Sequence, residues 1–262
     1  MTIASSIHSS VRYEATALEG FPLARPGDDV AALILDALTR NGLALEEFDI
    51  VVVAQKIISK AEGRVTDTGR LTPSPRALEL AEITGKPPGL VEAVLQEAAE
   101  VLRAKPGVIV VEQRSGHVMA NAGIDHSNTD GSAPQSVVLL PEDADASAEA
   151  IRSRLATAFG VRLGVIISDS LGRAWRLGTV GHAIGAAGLP SLVDRRGAVD
   201  LNGRPLEITM TGFADAVAAA AVLLMGEGEE GRPVVVVRGL RWTAADAPAR
   251  ALIRPVAEDM FR

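Results

Sequence analysis

VIISDSLGRAW, Val165–Trp175, is the stretch from which the rest of the chain can be read. Its first four residues, Val165–Ser168, are apolar or small and read as the end of a buried strand. Asp169-Ser170 follows, and a glycine-arginine turn is expected at Gly172-Arg173. A carboxylate at the C-terminal mouth of a buried strand is a common place for chemistry in α/β proteins, because strand ends open onto loops that face a ligand. The same aspartate would equally serve as a cap, accepting the backbone N–H groups of the next segment. Two further acidic, polar clusters favour the first reading, Asn121–Asp130 and Gly226–Gly231. The remaining chain reads as scaffolding that brings the three together.

Composition limits what that scaffold is. At 262 residues the chain has ample apolar material for a core; 47% is hydrophobic but only 3% aromatic. Such a core is built from Val, Leu, Ile and Ala, which suits sheets covered by Ala/Leu helices. Acidic residues outnumber basic ones, 33 to 26, for a net charge of -7. That argues against a nucleic-acid backbone as partner. The absence of cysteine excludes disulfides, thiolate metal sites and cysteine nucleophiles. The first residues carry no basic start and apolar run of a signal peptide, and the longest apolar helix candidate, Ala214–Met225, is too short to span a bilayer. A cytoplasmic protein without a membrane partner is expected.

Working outward, Arg12–Leu18 reads as a strand and Glu19–Asp29 as a loop. Asp28 or Asp29 is a candidate N-cap for a helix over Val30–Arg40, stopped by Asn41-Gly42. Asp49–Ala54 is a continuous apolar run, the pattern of a strand buried on both faces. It leads directly into Gln55–Arg64, where Lys56 and Lys60 form either a compact cationic site suited to phosphates or a pair of solvated lysines on a surface turn. No Gly-x-x-x-x-Gly-Lys-Ser/Thr pattern is present, which excludes a P-loop. Helices are expected over Ala77–Glu82 and Gly89–Arg103, strands over Val108–Val111 and His117–Ala120, the latter two joined by a hairpin turn.

Asn121–Asp130 is too polar for a core. Asp125 and Asn128 could serve a hard divalent cation or its nucleotide, since Mg²⁺ takes one or two carboxylates plus substrate phosphates; the alternative is an Asx-rich surface turn. A strand at Ser136–Leu140, a helix over Ala148–Phe159 capped from Asp143–Ser147, and the strand Val161–Ser168 follow. Asp194–Pro205 reads as loop, Leu206–Met210 as a short strand, and Phe213–Met225 as an Ala-rich helix suited to close packing. Gly226–Gly231 matches G-x-G-x-x-G literally, yet it trails a helix and precedes the strand Pro233–Val237, the reverse of a dinucleotide fingerprint. A glycine-rich loop with carboxylates suits close approach to a metal–phosphate complex, or is simply a flexible acidic hairpin. Thr66–Pro75 and Gly131–Gln135 are the candidate hinges.

Three acidic loops, a lysine-bearing segment and no Ser-His-Asp set point to metal-assisted phosphoryl chemistry on a nucleotide or phosphorylated substrate. The residues alone do not name the substrate, and they leave a metal-dependent phosphatase or kinase and a nucleotide-binding regulatory module open.

Taken together, AQKIISKAEGR, NAGIDHSN, SDSLGRAWRLG and MGEGEEGRPVVVVRG, in that order, resemble the coenzyme F420-0:gamma-glutamyl ligases over about Phe21 to Arg254. The resemblance implies a mixed α+β, two-lobed fold in a single unit over residues 1–262, an intertwined homodimer, and no C-terminal nitroreductase-like domain of the kind fused in some relatives. It implies GTP-dependent addition of L-glutamate to coenzyme F420-0 through an acyl phosphate, continuing in many members to a gamma-linked polyglutamate tail. By the same resemblance Phe21, Pro22, Leu23 and Ala24, with Gln55, Lys60 and Asn128, belong to the GTP site. Met225, Gly226, Glu227, Gly228, Glu229, Glu230, Gly231 and Arg232 match a GTP-contacting loop. Asp125, Asp169, Ser170 and Glu227 match ligands of Mg²⁺ or Mn²⁺, with K⁺ as a further ion. On that footing Lys60 would stabilise charge on the transferring phosphoryl group. Arg173 and Arg176 are candidates for an anionic phosphodiester or for glutamate carboxylates, which a guanidinium fork matches. Trp175 could stack on a ring or simply pack.

Overall fold

The computed structural model describes residues 11–126 and 134–260. In chain order they form β1 (Glu14–Ala17), α1 (Val30–Arg40), β2 (Ile50–Ala54), α2 (Gln55–Ala61) and β3 (Val65–Asp67). Next come α3 (Pro75–Thr84), α4 (Pro88–Glu97), β4 (Ala98–Lys105), β5 (Val108–Gln113), β6 (Val118–Ala120) and β7 (Ser136–Val138). The chain continues through α5 (Ala144–Phe159), β8 (Gly164–Arg173), β9 (Arg176–Ala187), β10 (Leu192–Asp194), β11 (Met210–Gly212), α6 (Phe213–Met225) and β12 (Val234–Arg238). The fold is mixed α and β. Among the described residues no helix is long and apolar enough to cross a membrane.

The principal sheet has the order β1-β12-β2-β8-β9; β2 and β8 run parallel and every other neighbouring pair is antiparallel. Its three central strands are Val/Ile runs because both faces are covered. Alternate side chains divide strictly between two cores. Val51, Val53, Val165, Ile167, Val234 and Val236 face a cluster completed by α1 and α5. Ile50, Val52, Ile166, Val235 and Val237 face a second cluster completed by α6 and Trp242. A third cluster lies in the segment between β2 and β8 and joins α3, α4 and β5 with Ala122, Ile124, Val137 and Leu139.

Two glycines let both helical layers approach β9. A Cβ at Gly181 would stand 2.5 Å from the Ala218 carbonyl oxygen of α6, and one at Gly185 would stand 2.3 Å from the Ala144 carbonyl oxygen of α5. Any larger residue would push a helix away from the sheet.

The helices over Val30–Arg40 and Phe213–Met225 have the expected bounds, and of the two candidate caps Asp29 accepts the Ala32 N–H of α1. Four expectations are corrected. The segment Gln55–Ala61 is a helix rather than a turn or loop, which puts Lys56 and Lys60 on one face at a spacing of four. The helix beginning near Gly89 ends at Glu97, and Ala98–Lys105 is a strand paired with β5. The strand near Leu206 lies at Met210–Gly212, paired with β10. Finally, β8 does not stop before Asp169: it runs to Arg173, with Asp169 opposite His182 and Ser170 opposite Gly181 of β9, and the turn lies at Ala174-Trp175. The partner strand β9 extends the ladder well past the end of β2.

The two candidate hinges lie against each other where they are described. Thr66 and Asp67 pair with β7, and the Thr68 N–H donates to the Gln135 carbonyl at 3.1 Å. Gly131–Ala133 lies outside the described residues.

Candidate active site

One end of the principal sheet gathers four stretches that are remote in sequence. The last parallel pair of β2 and β8 is Ala54 with Ser168, so Asp169 emerges where β2 has already turned into α2. β12 enters antiparallel to β2 at this same end, and the Ala54 N–H donates to the Pro233 carbonyl at 2.8 Å. The Gly226–Arg232 loop, which precedes β12, therefore lies beside Asp169. β1 leaves at this end too: Ala17 opposes Val235, and the Leu18 N–H donates to the Val234 carbonyl at 2.9 Å. Farther along the same loop, the Gly27 N–H donates to the Ala61 carbonyl at 2.8 Å, tying it to the end of α2.

The stretches enclose a cavity of ≈ 410 Å³. Its lining includes Phe21, Pro22, Leu23 and Ala24 after β1; Gln55, Lys56 and Lys60 on α2; and Ser168, Asp169 and Ser170 on β8. Met225, Gly226, Glu227, Gly228, Glu229, Gly231 and Arg232 complete it from the loop after α6. A volume of this size holds a nucleotide-sized ligand, with an apolar wall at Phe21–Ala24 and a charged wall opposite in chemical character.

The charged wall has internal structure. Burial pushes the Asp169 carboxyl up to about 6, against the pull of the Ser170 N–H and Lys56; the charges of Asp125 and Glu227 push the same way as burial. The Ser170 N–H donates to Asp169 Oδ1 at 2.9 Å. Lys56 Nζ lies 2.6 Å from Asp125 Oδ2, which couples Asp125 to the cavity wall. Asp125 is itself held by backbone: its N–H donates to the Val138 carbonyl and its carbonyl accepts from the Val138 N–H. Glu227 accepts from Thr179 Oγ1 of β9 at 3.2 Å.

Gln55 is buried and accepts the Ser59 hydroxyl at 2.8 Å, which positions the first turn of α2. Glu230 turns back onto its own loop, where its own backbone N–H and the Gly228 N–H, the latter donating at 2.8 Å, hold its carboxyl below the usual range. That curl requires glycine at 226, where φ is +75° and a Cβ would meet the Glu230 carboxyl at 2.1 Å. Arg232 Nε lies 3.3 Å from Glu19 Oε1 but makes no hydrogen bond and is buried.

Asp125, Asp169, Ser170 and Glu227 offer only oxygen donors, the chemistry of Mg²⁺ and Mn²⁺ rather than of softer metals. Among the described residues no three His, Cys, Asp or Glu side chains are grouped as a ready-made cage. One or two carboxylates completed by substrate phosphates is the arrangement expected of Mg²⁺, and a cation would offset the burial of the Asp169 charge and, to a lesser degree, its repulsion by Asp125 and Glu227. The donor set fits such an ion.

The profile of the family described as F420-0:gamma-glutamyl ligase matches residues 20–239. The chain belongs to this family. Among its relatives is the coenzyme F420:L-glutamate ligase of Methanothermobacter thermautotrophicus, 48% identical over 94% of this chain and 97% of the relative. Relatives of the same name from Methanopyrus kandleri and Archaeoglobus fulgidus are 47% and 44% identical, over 91% and 96% of this chain and 93% and 97% of their own lengths. These relatives are enzymes of the ligase class, and family membership covers all four stretches that build the cavity.

Of the residues singled out in the sequence, Asn128 lies outside the described residues. Arg173 is at the far end of β8, where its Nη1 donates to the Gly178 carbonyl at 2.9 Å, and it is not in the cavity lining. Trp175 sits at the tip of the β8–β9 hairpin with φ +61°, exposed. Lys56 is the residue whose role the sequence conceals: it appears there as half of a lysine pair, and nothing local points to Asp125 as its partner.

Proposed function

We propose that this chain is a GTP-dependent ligase that joins L-glutamate by an amide bond to coenzyme F420-0, and extends the product through gamma-linked glutamates. The observation that carries the reading is the convergence of four remote stretches on one cavity whose charged wall combines carboxylates with two lysines, in a chain of this family. The family relatives act, by name, on coenzyme F420 and L-glutamate.

The chemistry has a simple requirement. An amine does not displace oxide from a carboxylate, so the acceptor carboxyl must first acquire a leaving group. Transfer of the GTP γ-phosphoryl group to that carboxylate gives an acyl phosphate and GDP. The glutamate amine then attacks the acyl carbon, phosphate departs, and the amine proton is lost to solvent. No protein nucleophile is needed; what is needed is alignment and charge neutralisation. In this reading Phe21–Ala24 and Gln55 hold the nucleoside side of GTP, together with Asn128. The glycine-rich run Gly226–Gly231 and Arg232 wrap the phosphates, and Lys60 stabilises the transferring phosphoryl oxygens. Asp125, Asp169, Ser170 and Glu227 would hold Mg²⁺ or Mn²⁺, which supplies charge neutralisation to the phosphates when bound; K⁺ is a further ion of the reading. Arg173 is assigned to an anionic group of the acceptor or of glutamate, at the hairpin beyond the cavity.

The third hydrophobic cluster supports reading the chain as a single unit of two lobes, the second formed by the β2–β8 insertion. Exposed Trp175, Leu177, Leu201 and Ile208 support a homodimer as the functional form.

Mass spectrometry of F420-0 incubated with the protein, GTP, Mn²⁺ or Mg²⁺ and L-glutamate tests the reading. Mass increments of one glutamate, with GTP cleavage that requires both F420-0 and L-glutamate, are the expected result. GTP cleavage indifferent to either substrate overturns it in favour of a phosphatase-type activity.

A further inference from the structure

Lys56 does not point only at a future phosphate. Its ammonium is 2.6 Å from the carboxylate of Asp125, and both side chains are partly shielded from solvent. Lys56 also lines the cavity, one helical turn before Lys60, and its charge acts on Asp169 across the same wall. A charge-assisted hydrogen bond this short occupies one of the oxygens that an incoming cation would use. The chain thus already carries a cation of its own at the acidic wall, on a flexible stem whose reach includes the nucleotide side of the cavity.

We propose that Lys56 is a resident stand-in for the divalent cation and a positioning residue. In the metal-free protein it holds Asp125 against the cavity and offsets part of the repulsion among Asp125, Asp169 and Glu227. The Lys56 ammonium would yield Asp125 to a metal ion and would then be available to the phosphates of the nucleotide. Metal binding and readiness for the nucleotide are in this way coupled through one side chain. The inference rests on the reading of Asp125 as a metal ligand, and it makes a demand that reading does not: removing a positive charge from the site must tighten metal binding through lost competition.

The test is Mn²⁺ binding to the full chain without nucleotide, followed by electron paramagnetic resonance. Lys56→Met is expected to bind Mn²⁺ about tenfold more tightly than wild type, the fold-change that loss of one competing charge-assisted hydrogen bond corresponds to. Lys56→Arg, which keeps the competitor, is expected to bind as wild type or more weakly. A measurement on the unaltered protein covers the case in which Lys56→Met does not fold. The rate of Lys56 acetylation, read by mass spectrometry, is expected to rise several-fold on adding Mn²⁺ as the ammonium leaves Asp125. Equal or weaker Mn²⁺ binding by folded Lys56→Met overturns the inference and leaves the metal reading standing, as does an acetylation rate that Mn²⁺ leaves unchanged or slows. Wild-type protein that binds no Mn²⁺ sensitive to Asp125→Asn overturns both.

Discussion

Asp169→Asn should make the metal-free protein more stable while removing its activity. The carboxyl sits at about 6 in the folded chain against an ordinary value of 3.8, chiefly because burial disfavours its charge. Each pKa unit is worth 1.36 kcal/mol, so the difference, 6 − 3.8, sets an upper bound of about 3 kcal/mol of destabilisation at pH 7. Water and mobile ions in the cavity screen part of it, leaving an expected gain of about 1–3 kcal/mol on neutralisation. Asparagine keeps the oxygen that accepts the Ser170 N–H, so no hydrogen bond is lost in exchange. In a chain of this length the gain corresponds to roughly 2–10 °C in Tm.

The sign follows from an acid whose folded value is raised. The penalty is complete above pH 6, falls to about half near pH 5, and is gone below 3.8. Calorimetry in chelator at pH 7.5 and pH 5 should therefore show a stabilising shift that shrinks at the lower pH. Ligation by the folded variant should fall below about one hundredth of wild type, the scale of losing a group that stabilises transferring charge. A variant that melts lower than wild type at pH 7.5, or shifts equally at both values, refutes the assignment of Asp169 as a carboxylate held charged at a cost for the sake of a cation.

Lys60→Ala should raise the GTP KM and lower kcat by about a hundredfold together while Tm moves by less than a degree or so, because the side chain is only partly buried at a cavity wall; unchanged steady-state constants would remove Lys60 from the phosphates. Mn²⁺ affinity measured by calorimetry should weaken as pH falls through 6, since a proton on Asp169 competes with the ion; a flat profile between pH 5 and 8 contradicts it. Arg238→Met should destabilise the fold by about 3 kcal/mol in urea denaturation without moving the GTP KM. Arg238 donates to both oxygens of the fully buried Asp49, at 2.9 and 2.6 Å, far from the cavity, and its loss strands that charge. A loss below 1 kcal/mol would mean that water reaches Asp49 unaided.

Much of the scaffold was legible because local signals agreed with tertiary burial. Val30–Arg40 has a cap, a helical repeat and a stop; Ile50–Ala54 is an uninterrupted apolar run; nothing in Arg176–Ala187 alternates enough to announce a strand. β9 exists because β8 and two helices pack on it, and without it the end of β8 was placed too early. The helix expected to continue past Glu97 fails for a similar reason: Ala98–Lys105 has tolerable helical residues but finds a ladder with β5. The cavity residues were legible from motif order rather than from physics. What the sequence withheld was pairing across long separations, above all Lys56 with Asp125 and Thr179 with Glu227.

The strand order has a consequence for how the protein is made. β12 lies between β1 and β2 in the sheet although it is the last strand of the chain. During synthesis, β1 must wait without its sheet neighbour, and β2 with one side unpaired, until residues near 238 have left the ribosome, and contacts so distant in sequence close slowly. The cavity at the end of the sheet is thus completed only when the final strand threads home between the first two.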